Sequence, residues 1–525
     1  MRPNRLALGL AAPLTLAALT LSAAPALDAR ASTRAWVEAH QREILAEYAA
    51  LLAIPNVASD APNIARNADH ILALLRQRGF EARLLDGEGG PPAVYAELRS
   101  PGATRSLTIY AHYDGQPVDA SRWASPPWTP TLRKGLAEAG AEVVPLDALP
   151  ARLDPEWRLY ARSTGDDKAP IAAITRALDA LAAAGRKPSV DLKLFLEGEE
   201  EAGSDHLGAI LEKHAELLKA DLFLLCDGPV HPTRKPQLYF GARGVTGLEL
   251  TVYGATRTLH SGHYGNWAPN PALLLAHLIA SLRDPDGRIL IDGYLDDVRP
   301  PTAAEQEALA RVPEVDAALR EELSLAATEA GGAPLASRIM LPALNVRGVQ
   351  AGYLGERAAN AIPSSARASI DFRLVPDQTP ARVRAKLEAH LLARGWHLVH
   401  AAPDPSTLRA HPRVVRLDWE GGYPAARAPL DDPAARALVR ALEQGAREPY
   451  VLMPTLGGSI PMHLFQQTLR VPVVGLPVAN HDNNQHGSNE NIRLQNLWDA
   501  IETYAGLFAN LGPELQAAPR PVALR

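Results

Sequence analysis

In the stretch "RSTGDDKAPI", Arg162 to Ile171, two adjacent aspartates sit on a glycine turn just ahead of an apolar run with helical spacing. Like charges side by side at the entrance to a buried element call for water or a cation. Four further clusters carry groups of the same chemical kind. "AHYDG" offers His112 with Asp114 two residues on. At a strand end these side chains share a face, and the carboxylate is placed to orient the imidazole. "LEGEEEAGS" sets Glu200 and Glu201 after one apolar run, "LLCDGP" sets Asp227 after another, and "NQHGSNENI" puts His486 in a polar loop. Singly, each has an ordinary explanation: a satisfied histidine, a solvated acidic turn, a helix cap. As a set, imidazoles and carboxylates without thiols are the ligand inventory of a two-metal hydrolytic site. A bridging Asp166 between two divalent cations accounts for the paired aspartates, with Asp167 and Lys168 in support.

The elements that must position these groups alternate. Segments with strand character ("AVYAELR", "SLTIYAHYD", "VDLKLFLEG", "ADLFLLCDG", "VPVVGLP") are separated by stretches with helical spacing such as "PIAAITRALDALAAAGR". This predicts an α/β fold, a mostly parallel sheet flanked by helices, with its chemistry beyond the carboxyl ends of the strands. After Gly244 the pattern changes to half-buried alternation in "GLELTVYG" and "RASIDFRLVP", and the α/β pattern resumes at Pro433. The expected organisation is therefore a catalytic domain of 27–244 and 430–525 interrupted by an inserted α+β two-layer lid at 245–429. Two stretches rich in Ala, Pro and charge, 135–157 and 300–332, are expected to be surface insertions.

The chain has 525 residues, 47% of them apolar, which is enough for more than one domain with a sizeable core. A net charge of −6 and the lack of a basic stripe with interleaved aromatics argue against nucleic acid as a partner. Residues 1–26 carry Arg2 and Arg5, an apolar stretch and the small-residue pattern Ala24-Pro25-Ala26. That layout predicts a signal peptide and an exported protein, periplasmic or secreted, without a stable membrane anchor. The single cysteine, Cys226, leaves no intramolecular disulfide.

The segments "AHYDGQP", "GDDKAP", "LEGEEEAGS", "LHSGHYGN", "IDFRLVP" and "HGSNEN", in this order and spacing, resemble the di-zinc exopeptidases. That family includes carnosinase-like dipeptidases, glutamate carboxypeptidase, aminoacylase and succinyl-diaminopimelate desuccinylase. The likeness runs from about Trp36 to Leu511 and is strongest toward the dipeptidase branch. It implies that His112 and Asp227 hold one ion, Glu201 and His486 the other, and that Asp166 bridges them across a cis bond to Asp167. Glu200 would be the general base and Asp114 the support of His112. His260 would stabilise the oxyanion in the neighbouring subunit of a homodimer joined through the lid. Asn360, Arg373, Gly457, Gly458 and Ser459 would hold the substrate's terminal carboxylate. Zinc is the implied ion, with manganese or cobalt possible. The chain departs from the family at Ala161 and Ser163 around Arg162, at Ala169, in the longer stretch 135–157, and at Glu420, near where dipeptidases carry a histidine.

The expected function is metal-dependent hydrolysis of dipeptides or short peptides with a free C-terminal carboxylate. An N-acyl-amino-acid amidohydrolase with the same site is the alternative. A third reading, an exported peptide-binding protein without turnover, leaves Glu200 without a task.

Overall fold

The computed structural model describes residues 28–519. Eight strands form the main sheet, in the spatial order Glu81–Leu85, Ala93–Leu98, Asp191–Glu197, Ser106–His112, Leu222–Leu225, Val473–Gly475, Gln237–Tyr239, Val451–Met453. The centre is parallel, since Ser106–His112 runs with both Asp191–Glu197 and Leu222–Leu225, which in turn runs with Val473–Gly475. An antiparallel pair closes one edge. The central strands are near-continuous apolar runs because helices cover both faces. Leu107, Ile109, Leu222 and Leu224 pack with helices Ala29–Leu52, Lys168–Ala183, Pro433–Glu443 and Leu494–Ala517. Tyr110, Phe195, Phe223 and Leu225 point the other way, onto Leu207–Leu218 and Met462–Leu469. Caps fix where these helices begin: Asp432 accepts from the backbone N–H groups of Ala434 and Ala435, with Pro433 in the first turn.

A second sheet of five strands has the order Ala343–Gln350, Ser365–Leu374, Gly244–Tyr253, Val414–Tyr423, His397–Val399. Leu248, Leu250, Ile370 and Phe372 on its inner face pack under helices Pro271–Leu282 and Pro380–Ala393, making the two-layer lid. The chain enters this sheet at Gly244 and leaves it at Tyr423. The stretch 300–332 is helical in part, over Ala303–Arg311 and Asp316–Glu322. The stretch 135–157 does hold a strand: Val143–Val144 joins Thr131–Arg133, Arg158–Tyr160 and Asn491–Arg493 in a small antiparallel sheet. The expected signal peptide, 1–26, lies outside the described residues. Among them, no helix is long and apolar enough to cross a membrane.

Candidate metal centre

Neighbouring parallel strands deliver the site. Ser106–His112 ends in His112, Asp191–Glu197 leads into a single 3-10 turn at Glu200–Ala202, and Leu222–Leu225 stops two residues short of Asp227. The turn ends on Gly203, whose φ of +105° is one that a side chain would strain. Asp114, fully buried, ties the first two strand ends together. Its Oδ1 accepts from the Glu200 N–H at 3.1 Å and its Oδ2 from the Glu201 N–H at 3.0 Å. Oδ1 also lies 3.3 Å from His112 Nδ1. One carboxylate thus orients an imidazole and both glutamates.

Asp166 lies between two groups of candidate ligands. Its Oδ1 is 2.9 Å from His112 Nε2 and its Oδ2 is 3.2 Å from His486 Nε2, while Glu201 Oε2 is 3.2 Å from the same His486 nitrogen. Ligand atoms of His112, Asp166 and Asp227 lie within 4.8 Å of one another, and so do those of Asp166, Glu201 and His486. The peptide bond from Asp166 to Asp167 is cis. All five residues singled out as ligands in the sequence therefore meet, and Asp166 is the member both groups share.

Electrostatics shows what such a cluster lacks. Burial pushes the Asp227 carboxyl up to about 7, helped by the charge of Asp166. Burial likewise raises Asp167 and Glu200 well above the carboxylate range. Asp166 resists its burial, because hydrogen bonds from His112 and His486 hold it below that range. Asp166 and Glu201 together push His486 up to about 10. Buried carboxylates outnumber the imidazoles that face them, so divalent cations fit this donor set and would relieve its excess negative charge.

Three residues that sequence reasoning did not single out shape the same site. Glu490 is fully buried and cradles the aspartate turn. Its Oε1 accepts from the N–H groups of Gly165 and Asp166 at 2.8 and 2.9 Å, and its Oε2 from Ser163 N–H and Arg162 Nη1, both at 2.8 Å. Gln485 donates to Asp166 Oδ2 and Gln116 to Glu201 Oε2, at 2.8 and 2.7 Å. The only hint of Glu490 in the sequence was an acid in a run about to enter a strand. Lys168, expected beside the aspartates, instead turns its Nζ to the carbonyls of Leu51 and Ile54 and to Asn67 Oδ1. It caps the carbonyl end of helix Ala29–Leu52.

A second group forms where the lid meets the main sheet. Arg373 Nη1 donates to Ser459 Oγ at 2.8 Å, and Arg243 Nε donates to the Gly457 carbonyl at 2.8 Å. The Arg243 N–H reaches the Gly458 carbonyl at 3.1 Å, so the Gly457–Ser459 loop is gripped by two arginines. Arg243 also went unnoticed in the sequence. Asn360 does not join this group. Its carbonyl accepts from the Ser261 N–H at 2.9 Å, which places it beside His260 on the strand pair Leu259–His260 and Ala361–Ile362. Both are exposed, and among the described residues no hydrogen bond or ion pair links either of them to the ligand cluster. Glu420 pairs with Arg347 on the lid sheet.

The model of Peptidase family M20/M25/M40 matches residues 108–510. The chain belongs to this family. It is 24% identical over 498 residues to the Cys-Gly metallodipeptidase dug1 of Schizosaccharomyces pombe, covering 91% of this chain and 98% of that one. It is 26% identical over 432 residues to the human Beta-Ala-His dipeptidase, covering 80% and 78%. Among solved structures, the M20 family metallo-carboxypeptidase Sso-CP2 from Sulfolobus solfataricus superposes with a TM-score of 0.72 at 28% identity, covering 90% and 99%. This M20 chain is thus a metallopeptidase-type enzyme with a catalytic body and a lid. The relatives correct one expectation, that of a periplasmic or secreted protein, because the Cys-Gly metallodipeptidases it matches are cytosolic enzymes.

Proposed function

We propose that this chain hydrolyses the peptide bond of dipeptides or short peptides bearing a free C-terminal carboxylate, with two divalent ions in its site. The observation that carries the proposal is the pair of ligand groups joined at Asp166. In this reading His112 and Asp227 would hold one ion and Glu201 and His486 the other, with Asp166 common to both groups. Nitrogen and carboxylate oxygen donors suit zinc, and manganese or cobalt are the other ions such a set accepts. Bound there, the ions would supply Lewis acidity to the scissile carbonyl and to the attacking water.

Glu200 takes the proton of that water and delivers it to the leaving amine. Asp114 keeps Glu200 in reach by holding its backbone. Arg373 and Ser459, with the backbone of Gly457 and Gly458, receive the substrate's terminal carboxylate, for which the planar guanidinium fork is suited. His260 and Asn360 complete the site from a second copy of the chain, in a homodimer formed through a lid spanning 245–429. His260 then donates to the developing oxyanion, and Asn360 adds to the carboxylate contacts.

The test is a metal count on purified protein alongside a panel of cysteinylglycine, β-alanyl-histidine and N-acetyl amino acids. Release of two amino acids, abolished by a chelator and restored by zinc or manganese, is expected. Turnover that a chelator leaves untouched, or release of acyl groups alone, overturns the reading. A monomer in solution with full activity would remove His260 and Asn360 from it.

A further inference from the structure

The stretch 135–157 is bound to the loop of His486 instead of standing free of it. The hairpin of Thr131–Arg133 and Val143–Val144 extends a sheet whose other strands are Arg158–Tyr160 and Asn491–Arg493. One of those strands runs into the Asp166 turn and the other leaves the His486 loop. The tip of the hairpin is pinned by the buried Tyr160, whose hydroxyl donates to the Gly135 carbonyl and accepts from the Ala137 N–H, both at 3.0 Å. That anchoring sets Glu138 against the loop. Its Oε1 accepts from Asn484 Nδ2 and from Asn489 Nδ2, each at 3.1 Å.

These asparagines bracket His486. All three have positive φ, 58° at Asn484 and 60° at both His486 and Asn489. Asparagine and histidine enter that region more readily than other side chains, so the hold on this loop lies in its hydrogen bonds. The preceding segment adds a second hold, since the Ala124 N–H donates to Asn489 Oδ1 at 2.8 Å. Arg162, lying 5.1 Å over the Trp123 ring, donates to the Gly487 carbonyl at 3.0 Å.

The geometry points to the insertion as a brace for this loop, with Glu138 as a positioning residue for His486. The consequence for metal rests on the two-ion reading above; the consequence for the loop does not. Glu138 is exposed and its side-chain hydrogen bonds go to Asn484 and Asn489, neither of them a candidate ligand, so Glu138→Ala leaves the core intact. The expected result has three parts. Backbone amides of 484–491 exchange several-fold faster in Glu138→Ala than in the unaltered chain, with metal removed. The weaker of two zinc equivalents loses about tenfold in affinity while the tighter one is unchanged. Glu138→Gln, which keeps a carbonyl acceptor at the same reach, restores both measurements. Exchange indistinguishable from the unaltered chain overturns the brace, as does equal weakening of both equivalents. If the unaltered chain binds fewer than two ions, the two-ion reading falls, and exchange in the metal-free chain still decides on the brace.

Discussion

His112 and Asp227 stand at the ends of adjacent parallel strands, and the His112 side chain is 0% exposed, whereas His486 rides a loop and 58% of its side chain is exposed. The first position inherits its geometry from a sheet ladder packed on both faces. The second depends on hydrogen bonds made by its loop: Arg162 donates to the Gly487 carbonyl, the Ala124 N–H donates to Asn489 Oδ1, and Glu138 accepts from Asn489 Nδ2. Asp166 belongs to both. A metal centre built this way should have one position that is costly to disturb and one that is easily loosened.

The largest effect separates holding from chemistry. Glu200→Gln keeps the shape and the backbone hydrogen bond to Asp114 but removes the base. Turnover should fall by about 10²–10⁴-fold, with both metal equivalents retained in a direct count. Loss of metal together with turnover would make Glu200 a ligand and blur the line between the two halves.

Next come the ligands themselves. His112→Ala removes an imidazole that faces Asp166 and Asp114 in the buried half, and the site should lose its tight equivalent and all turnover. His486→Ala should weaken only the other equivalent, by roughly 10–100-fold or more. Calorimetric titration with zinc reads both. Identical profiles for the two variants would break the comparison, because strand-borne and loop-borne ligands would then be equivalent.

Arg373→Met tests the group outside both halves. With the guanidinium gone from Ser459, KM for a dipeptide should rise by about 10–100-fold, with a smaller change in kcat and none in metal content. Altered metal binding would mean that this group supports the metal centre and not the substrate.

How far these positions were legible follows the same division. Strand-end ligands could be read because an acid or a histidine directly after an apolar run stands out, as His112 and Asp227 do. The sheet itself could be read for the same reason: buried parallel strands are continuous apolar runs. His486 has no such signal: alone it reads as an ordinary loop histidine, it counts only as a member of the set, and its assignment to the second ion is what the family resemblance implies. Glu490 and Arg243 were invisible because their task is to satisfy backbone groups of distant turns, and nothing in their own neighbourhood records those partners. Lys168 was misread for a related reason. Next to Asp166 and Asp167 in sequence, it is expected to support them, but the first turn of its helix points it back to the end of Ala29–Leu52. The insertion reads in sequence as a surface stretch rich in Ala, Pro and charge and longer than in the family, and its hairpin does not show, since strands of two and three residues leave no periodicity to detect.

The smallest expected effect concerns the metal-free protein and acts on the buried half alone. Asp227 is pushed to about 7 by burial and by the charge of Asp166, above its value in an unfolded chain. The folded state therefore binds more protons than the unfolded state across that interval, and this group's contribution to stability falls as pH rises from about 4 to 7. Acidifying the chelated protein from pH 7.5 toward 5.5 should raise its unfolding temperature, or offset losses elsewhere, by a few degrees relative to Asp227→Asn, which has no such proton to bind. With metal present the sign reverses, because protons then compete with the ion for the same carboxylate. His486 differs. Asp166 and Glu201 raise it to about 10, so its contribution is already complete below an ordinary histidine pKa and is lost only as pH climbs toward 10. A difference between the chelated parent and Asp227→Asn that stays constant from pH 5.5 to 7.5 would show that Asp227 carries no excess proton, and that the buried half is less starved of cations than its packing implies.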